Sequence, residues 1–327
     1  FLEKHPDDGY WDEALIASTK QTNKRLEKLV VRWLQLNVGN QRLLVNCQFR
    51  LAYSSKILEA SFNWVRSRDR SDEILPYHIA RLIRASGLCD HPIASPDLEF
   101  AREWLEANPD HLLTGQIFGS LVLATRAPAD ISNARIWYEN HQANNCAWAV
   151  IADLLEYSYW HATEPDQWAV EQAQILLKQD NFRRQTPELV INLVGVRADK
   201  ESIAWARETF ERTGLLSALI RLLWQSADQE TIAEAWTAYD SWKDSDIEPE
   251  MLYVLLKADP QNTLTLRRVR SWIKNNPKEK LTKVLAEMID ARKAAHSARN
   301  DVFLRASDGY RAGLFLKHFA TVAIGLL

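Results

Sequence analysis

Residues 101–124 read AREWLEANPDHLLTGQIFGSLVLA. The stretch contains two short helices and the joint between them. The first runs into Asn108-Pro109-Asp110, which a helix does not cross readily, because proline lacks the N–H and its ring clashes with the preceding turn. After the joint, Leu112, Leu113, Ile117, Phe118, Leu121 and Val122 recur at steps of three and four. That spacing predicts a second helix with one broad apolar face.

Working outward, Trp104 marks a slot that returns along the chain. Its context is a small or apolar residue, Arg, one variable position, then Trp: AREW from Ala101, ARIW from Ala134 and VRSW from Val269. Trp33, Trp64, Trp104, Trp137 and Trp272 are separated by 31, 40, 33 and 135 residues, and 135 is four steps of about 34. AQIL from Ala173, ARET from Ala206 and AWTA from Ala235 keep the slot without its Trp, and VVRW from Val30 and SFNW from Ser61 extend it upstream. These make eight copies. The apolar partner segment also recurs, as AWAVIADLLEY from Ala147, PELVINLVGV from Pro187, LLSALIRLLW from Leu215, PEMLYVLLKA from Pro249 and KLTKVLAEMI from Lys280.

Proline placement agrees with this division, since proline is accepted in a first helical turn and excluded from the interior. Pro76, Pro187 and Pro249 are expected at helix starts, and Pro109, Pro128, Pro165, Pro260 and Pro277 in joints. Thr186-Pro187-Glu188 has the form of an N-cap followed by proline and an acidic first turn. Alternating β-branched runs bounded by turn dipeptides are absent, so the expected fold is all-α with no sheet.

A stack of helical hairpins at this step, with Asn-Pro joints at 108–109 and 276–277, resembles the tetratricopeptide repeat (TPR) family over roughly residues 25–292. The resemblance implies an α-solenoid of about eight stacked hairpins, with a curved surface that binds a protein or peptide. The Trp lies on the helix that enters the joint, unlike the family consensus, so another α-hairpin repeat or a HEAT-like array is the alternative. Residues 1–24 form an acidic leader. Residues 293–327 form a C-terminal helical segment whose apolar end, AGLFLKHFATVAIGLL from Ala312, is shorter than the roughly 20 residues of a membrane span. That tail is expected to be a buried helix covered by sequence beyond this chain. The acidic opening FLEKHPDDGYWDE has no apolar core, so no signal peptide is read there and the chain is expected to be part of a longer protein.

A small residue beside a Trp suits close packing between neighbouring hairpins, so the slot tryptophans are expected in the core. Arg32, Arg102, Arg135, Arg207 and Arg270 accompany the slot. An inter-repeat ion-pair ladder is the expected role of that row, in preference to ligand recognition.

No reaction is legible. The ten glycines form neither G-x-x-x-x-G-K-[ST] nor G-x-G-x-x-G, and the histidines supply no H-E-x-x-H. Cys89-x-His91 has no second ligand pair, so neither zinc nor another cofactor is expected. The three cysteines, Cys47, Cys89 and Cys146, form no disulfide framework, which suits a reducing, cytoplasmic setting. Forty basic against 43 acidic residues give −3, with no global bias toward nucleic acid or membrane. Charge is nevertheless concentrated locally. Residues 228–250 are strongly acidic, and residues 267–283 are strongly basic.

Arg267, Arg268, Arg270 and Lys274 are therefore the candidate partner-binding cations, for an acidic protein surface or a phosphate-bearing ligand. Tyr157, Tyr159 and Trp160, read as lying in a long joint, are the candidate aromatic hot spot. The expected function is non-catalytic recognition of a protein or peptide, as scaffold or sensor in a larger intracellular signalling or defence protein. A nucleic-acid-binding solenoid is the less favoured alternative. A third is the regulatory part of an enzyme whose catalytic domain lies outside this chain.

Overall fold

The computed structural model describes residues 55–88, 93–161, 164–226, 228–243, 247–277 and 280–295, with Lys28, Val31 and Arg32. The leader, most of the Val30 copy, Cys47, Cys89, His91 and the tail from Ala312 lie outside the described residues. Among the described residues every regular element is a helix, and none is long and apolar enough to cross a membrane.

The helices fall into consecutive pairs. They are α1 (Ser55–Arg66) with α2 (Leu75–Leu88), α3 (Ser95–Ala107) with α4 (Thr114–Thr125), and α5 (Pro128–Asn140) with α6 (Trp148–His161). Next come α7 (Gln167–Leu177) and the short α8 (Asp180–Gln185) with α9 (Pro187–Val196), then α10 (Lys200–Thr213) with α11 (Leu216–Gln225). Last are α12 (Gln229–Thr237) and α13 (Tyr239–Trp242) with α14 (Glu248–Ala258), and α15 (Thr263–Asn275) with α16 (Lys280–Ala295). The first helices of successive pairs begin 40, 33, 39, 33, 29 and 34 residues apart.

The chain divides between Tyr157 and Ser158 into two compact units. In the first, α1 packs on α2 and α3, α2 on α4, α3 on α4 and α4 on α5. In the second, α9, α11, α14 and α16 are consecutive neighbours, each of the last three also packed on the first helix of its own pair or the next. The slot read from sequence is the common core position. Ser61, Ala101, Ala134, Ala173, Ala206, Ala235 and Val269 are all fully buried, and Trp64, Trp104, Trp137 and Trp272 are buried beside them.

First and second helices differ in burial. Several second helices are covered nearly all round: α9 buries every residue from Leu189 to Gly195, and α14 every residue from Glu248 to Leu256, whereas α16 exposes Lys283, Glu287 and Asp290. By contrast α15 buries Thr265, Leu266, Val269 and Trp272 and leaves its opposite face in solvent. Close approach of second helices in the first unit depends on glycine. A methyl group at Gly87 would come within 2.7 Å of the Ala124 backbone, and one at Gly119 would collide with Asp153 and approach the Ala149 carbonyl at 2.9 Å.

Two pairs share the same corner. In Asn108-Pro109-x-x-x-Leu113-Thr114 the Asn108 amide donates to the Trp104 carbonyl at 2.8 Å, and the Thr114 hydroxyl donates to the Asn108 carbonyl at 2.7 Å. In Asn276-Pro277-x-x-x-Leu281-Thr282 the Asn276 amide donates to the Trp272 carbonyl at 3.0 Å, and the Thr282 hydroxyl to the Asn276 carbonyl. At the second corner the Trp272 carbonyl also accepts from the Asn276 backbone N–H at 2.9 Å, whereas at the first the Asn108 N–H turns to the Leu105 carbonyl at 3.3 Å and leaves Trp104 to the side chain. The pair at 128–161 replaces the asparagine with His141, whose Nδ1–H donates to the Trp137 carbonyl at 2.8 Å.

Helix starts follow two recipes. In the second unit Asp166, Asp199, Asp228 and Asn262 are side-chain N-caps, accepting from Ala169, Ser202, Thr231 and Thr265 N–H at 3.2, 2.8, 2.8 and 3.0 Å. In the first unit α3 and α5 follow Ala94 and Ala127, which cannot cap, and carry proline in the first turn with a buried Asp97 or Asp130 two residues into it. Pro128, expected in a joint, thus opens α5. Thr186 precedes α9 as expected, but its hydroxyl donates backward to Phe182 at 2.8 Å instead of capping forward, because α8 ends there.

Candidate interaction surface

Two members of the arginine row, Arg102 and Arg207, form inter-pair ion pairs. Arg102 donates through Nη2 and Nε to both carboxylate oxygens of buried Asp130, at 2.8 and 3.2 Å. Gln174, in the equivalent position, donates to Asp199 at 3.2 Å. Arg207 meets Asp228 at 3.3 Å, Glu230 at 2.5 Å and Glu234 at 3.7 Å. In each case the donor on one first helix reaches the opening turn of the next, where an anion also suits the helix dipole.

These contacts tune the acids. Burial pushes Asp228 up, but hydrogen bonds from Thr231 and Ser226 and the Arg207 charge outweigh it, leaving the carboxyl below its usual range. Glu234 lies above its usual range, through burial first and then the neighbouring Glu230 and Asp228, against Arg207. Burial likewise raises Asp97 despite Arg66 at 3.3 Å. Desolvation therefore exceeds the single partner there.

On α15 the candidate cations divide. Arg268 is half-buried, donates to Glu248 at 2.6 Å and lies 5.5 Å from the Tyr239 ring centre. Glu248 is only 2% exposed, so this pair ties α14 to α15 within the fold. Arg267, Arg270 and Lys274 are exposed and have no ion-pair partner among the described residues. Their spacing of three and four residues sets them on one face. Of the acidic segment 228–250, the opening acids meet Arg207 and Glu248 meets Arg268.

The aromatic candidates occupy a different setting from the expected joint. Residues 157–161 continue α6 as helix, because the apolar run from Ala147 has no breaker before His161. Tyr157 is half-buried, and the Trp160 side chain lies outside the described residues. Tyr159 is a core residue, 8% exposed, with the Arg221 guanidinium 3.5 Å from its ring centre and Trp224 edge-on at 6.3 Å. Trp224 in turn stacks on Tyr253 at 5.8 Å and carries Lys257 Nζ 3.5 Å above its ring. This row of cations and rings crosses α11 and α14 and packs second helices together, worth about 0.5–2 kcal/mol per cation–ring contact.

Sequence reading also missed a charge cluster inside the first unit. Arg84 on α2 pairs with Asp153 and, at 2.7 Å, with Glu156, both on α6 and both buried. Its members stand 69 and 72 residues apart, about two repeat steps, so a search of adjacent copies does not find them. Leu264, one turn before Arg267, is a second omission: it is 48% exposed on the same helix face as the exposed cations. Cys146 is half-buried, and burial raises its thiol, which is the opposite of nucleophile activation. Among the described residues no three His, Cys, Asp or Glu side chains are placed to hold a metal ion. The chain matches no protein-family model, no curated protein and no solved structure.

Proposed function

We propose that this chain is a non-catalytic helical-repeat domain, a divergent TPR-like α-solenoid, that recognises a protein or peptide on the outer faces of its first helices. One observation carries the reading. Successive first helices bury the same slot residue, from Ser61 through Val269, and turn the opposite face to solvent. Repetition of that kind provides an extended surface without a closed pocket.

The test starts with capture by the full-length chain from its source cells, followed by titration of the purified partner. Charge reversal at exposed positions on different first helices, Glu106, Glu139, Glu171, Arg212 and Arg267, then maps the contact. Saturable binding that weakens on reversal at neighbouring positions, with the helical circular dichroism unchanged, is expected. Absence of saturable protein binding, or binding indifferent to every reversal, overturns the reading.

A further inference from the structure

We propose that the exposed strip of α15 docks an acidic, amphipathic helical segment of a protein partner. This rests on the recognition reading above and assigns it a site and a ligand chemistry. The strip consists of Leu264, Arg267, Arg270, Ser271 and Lys274, all exposed on one side of a helix whose other side is core. Like charges three and four residues apart repel one another, so three adjacent cations without an acid among the described residues form a surface that an external anion stabilises.

Three features select the ligand. First, the cations rise about 4.5–6 Å from one to the next along α15, the rise of a helix over three or four residues. Acids at the same steps on a helix lying alongside face all three cations over about 10 Å. An extended strand advances about 6.6 Å per same-side residue and falls out of register. Second, Leu264 continues the strip by one turn, so an apolar residue one turn from the first acid covers it, and a polyphosphate backbone gains nothing there. Third, the strip bears no exposed aromatic ring, since Trp272 is buried, which removes the stacking platform of single-strand binders.

The probe is a labelled synthetic helical peptide with Leu followed by Glu at three- and four-residue steps, titrated against the full 327-residue chain by fluorescence anisotropy. A scrambled peptide of the same composition and a single-stranded oligouridylate serve as comparisons. We expect the designed peptide to bind at least about 10-fold tighter than the scrambled one, and to weaken about 10-fold between low and high salt. The triple reversal R267E/R270E/K274E should weaken it by about 30-fold or more, Leu264→Asp by about 5-fold, and a peptide with Lys in place of Glu should recover binding to the triple variant. That recovery separates lost charge from lost folding.

Equal affinity for wild type and the triple variant, or no preference over the scrambled peptide, overturns the proposal. Strip-dependent binding of oligouridylate in preference to the peptide overturns it in favour of nucleic acid. If the peptide fails while a captured protein still depends on Glu106, Glu139 or Glu171, the docking site falls and the recognition reading stands.

Discussion

The pairs at 95–125 and 263–295 are built alike and use their arginines differently. Both bury a small residue and a Trp on the first helix, both turn at Asn-Pro, and both lock the turn with the same two side-chain hydrogen bonds. Arg102 and Arg270 directly follow the small residue in each. Arg102 is held by Asp130 from the next first helix, whereas Arg270 is exposed with no acid beside it among the described residues. Position within a repeat thus determines where an arginine points, and the opening turn of the following helix determines whether that charge is neutralised. Among the described residues of the helix pairs, α15 is thus the first helix whose ladder arginine is exposed without an ion-pair partner.

If the two pairs are equivalent inside, their tryptophans should cost the same to remove. Trp104→Ala and Trp272→Ala should each destabilise by about 3–5 kcal/mol, the cost of a large cavity in a core that cannot collapse. Denaturant titration of each variant checks this. A cost below about 1 kcal/mol at Trp272 would break the equivalence.

A second measurement contrasts the first unit with the pair at 263–295, which has no histidine among its described residues. His78 is fully buried on α2, edge-on to Trp64 at 5.3 Å, and burial holds its pKa at about 4, helped by the Arg81 charge. The unfolded chain takes up this proton near pH 6.5 and the folded chain only near 4. Stability should therefore be complete above pH 6.5, fall through that window by about 3 kcal/mol, and lose nothing more on this account below pH 4. Urea unfolding followed between pH 7 and pH 4 should show the loss, and His78→Leu should flatten it. An unchanged slope in that variant would place the acid sensitivity elsewhere.

What the sequence made legible follows from where each signal is written. The slot, the joints and the second helices recur within one repeat step, so a 34-residue period reveals them. Arg84 with Asp153 and Glu156 is written across two steps, and its residues look like ordinary surface charges until α2 and α6 are brought together. Glu248 and Glu250 read as part of an exposed acidic run, yet both are buried on α14. A helix enclosed on all sides hides charged residues that a one-sided helix would expose. Tyr159 reads as a joint residue because the recurring apolar segment from Ala147 ends at Tyr157; the packing under Arg221 shows that helical burial continues further. Of the four basic candidates the sequence could not separate Arg268 from its neighbours, because its acid lies 20 residues back on another helix.

Smaller effects test the ladder and the corners. Arg102→Gln should cost about 1 kcal/mol: it removes the charge opposite buried Asp130 but keeps one donor, as Gln174 does toward Asp199. Thr125 also donates to Asp130, at 2.6 Å, which limits the loss. Asn108→Ala should cost about 0.5–1 kcal/mol, since it frees the Trp104 carbonyl, and Asn276→Ala less than about 0.5 kcal/mol, since the Asn276 backbone N–H still donates to the Trp272 carbonyl at 2.9 Å. Thermal unfolding of the three single variants and the wild type ranks them. Equal losses at the two asparagines would show that the backbone bond at Trp272 does not compensate for the lost side-chain donor.

The smallest effect is the most discriminating. Arg270 sits three residues after Arg267 and four before Lys274, so on an exposed face it repels both. Glutamine has nearly the same helix propensity as arginine, so Arg270→Gln isolates the charge. If Arg270 is unneutralised in the folded protein, its removal should stabilise by about 0.3 kcal/mol at low salt, opposite in sign to Arg102→Gln, and the gain should fade near 0.5 M salt as screening shortens the interaction. A loss of about 1 kcal/mol instead would mean that Arg270 is held by an acid of this chain. The two pairs would then be alike in charge as well as in shape, and α15 would cease to be exceptional. Differences this small are best read from denaturant midpoints measured side by side at two salt concentrations, where the sign of the change, and its response to salt, carries the answer.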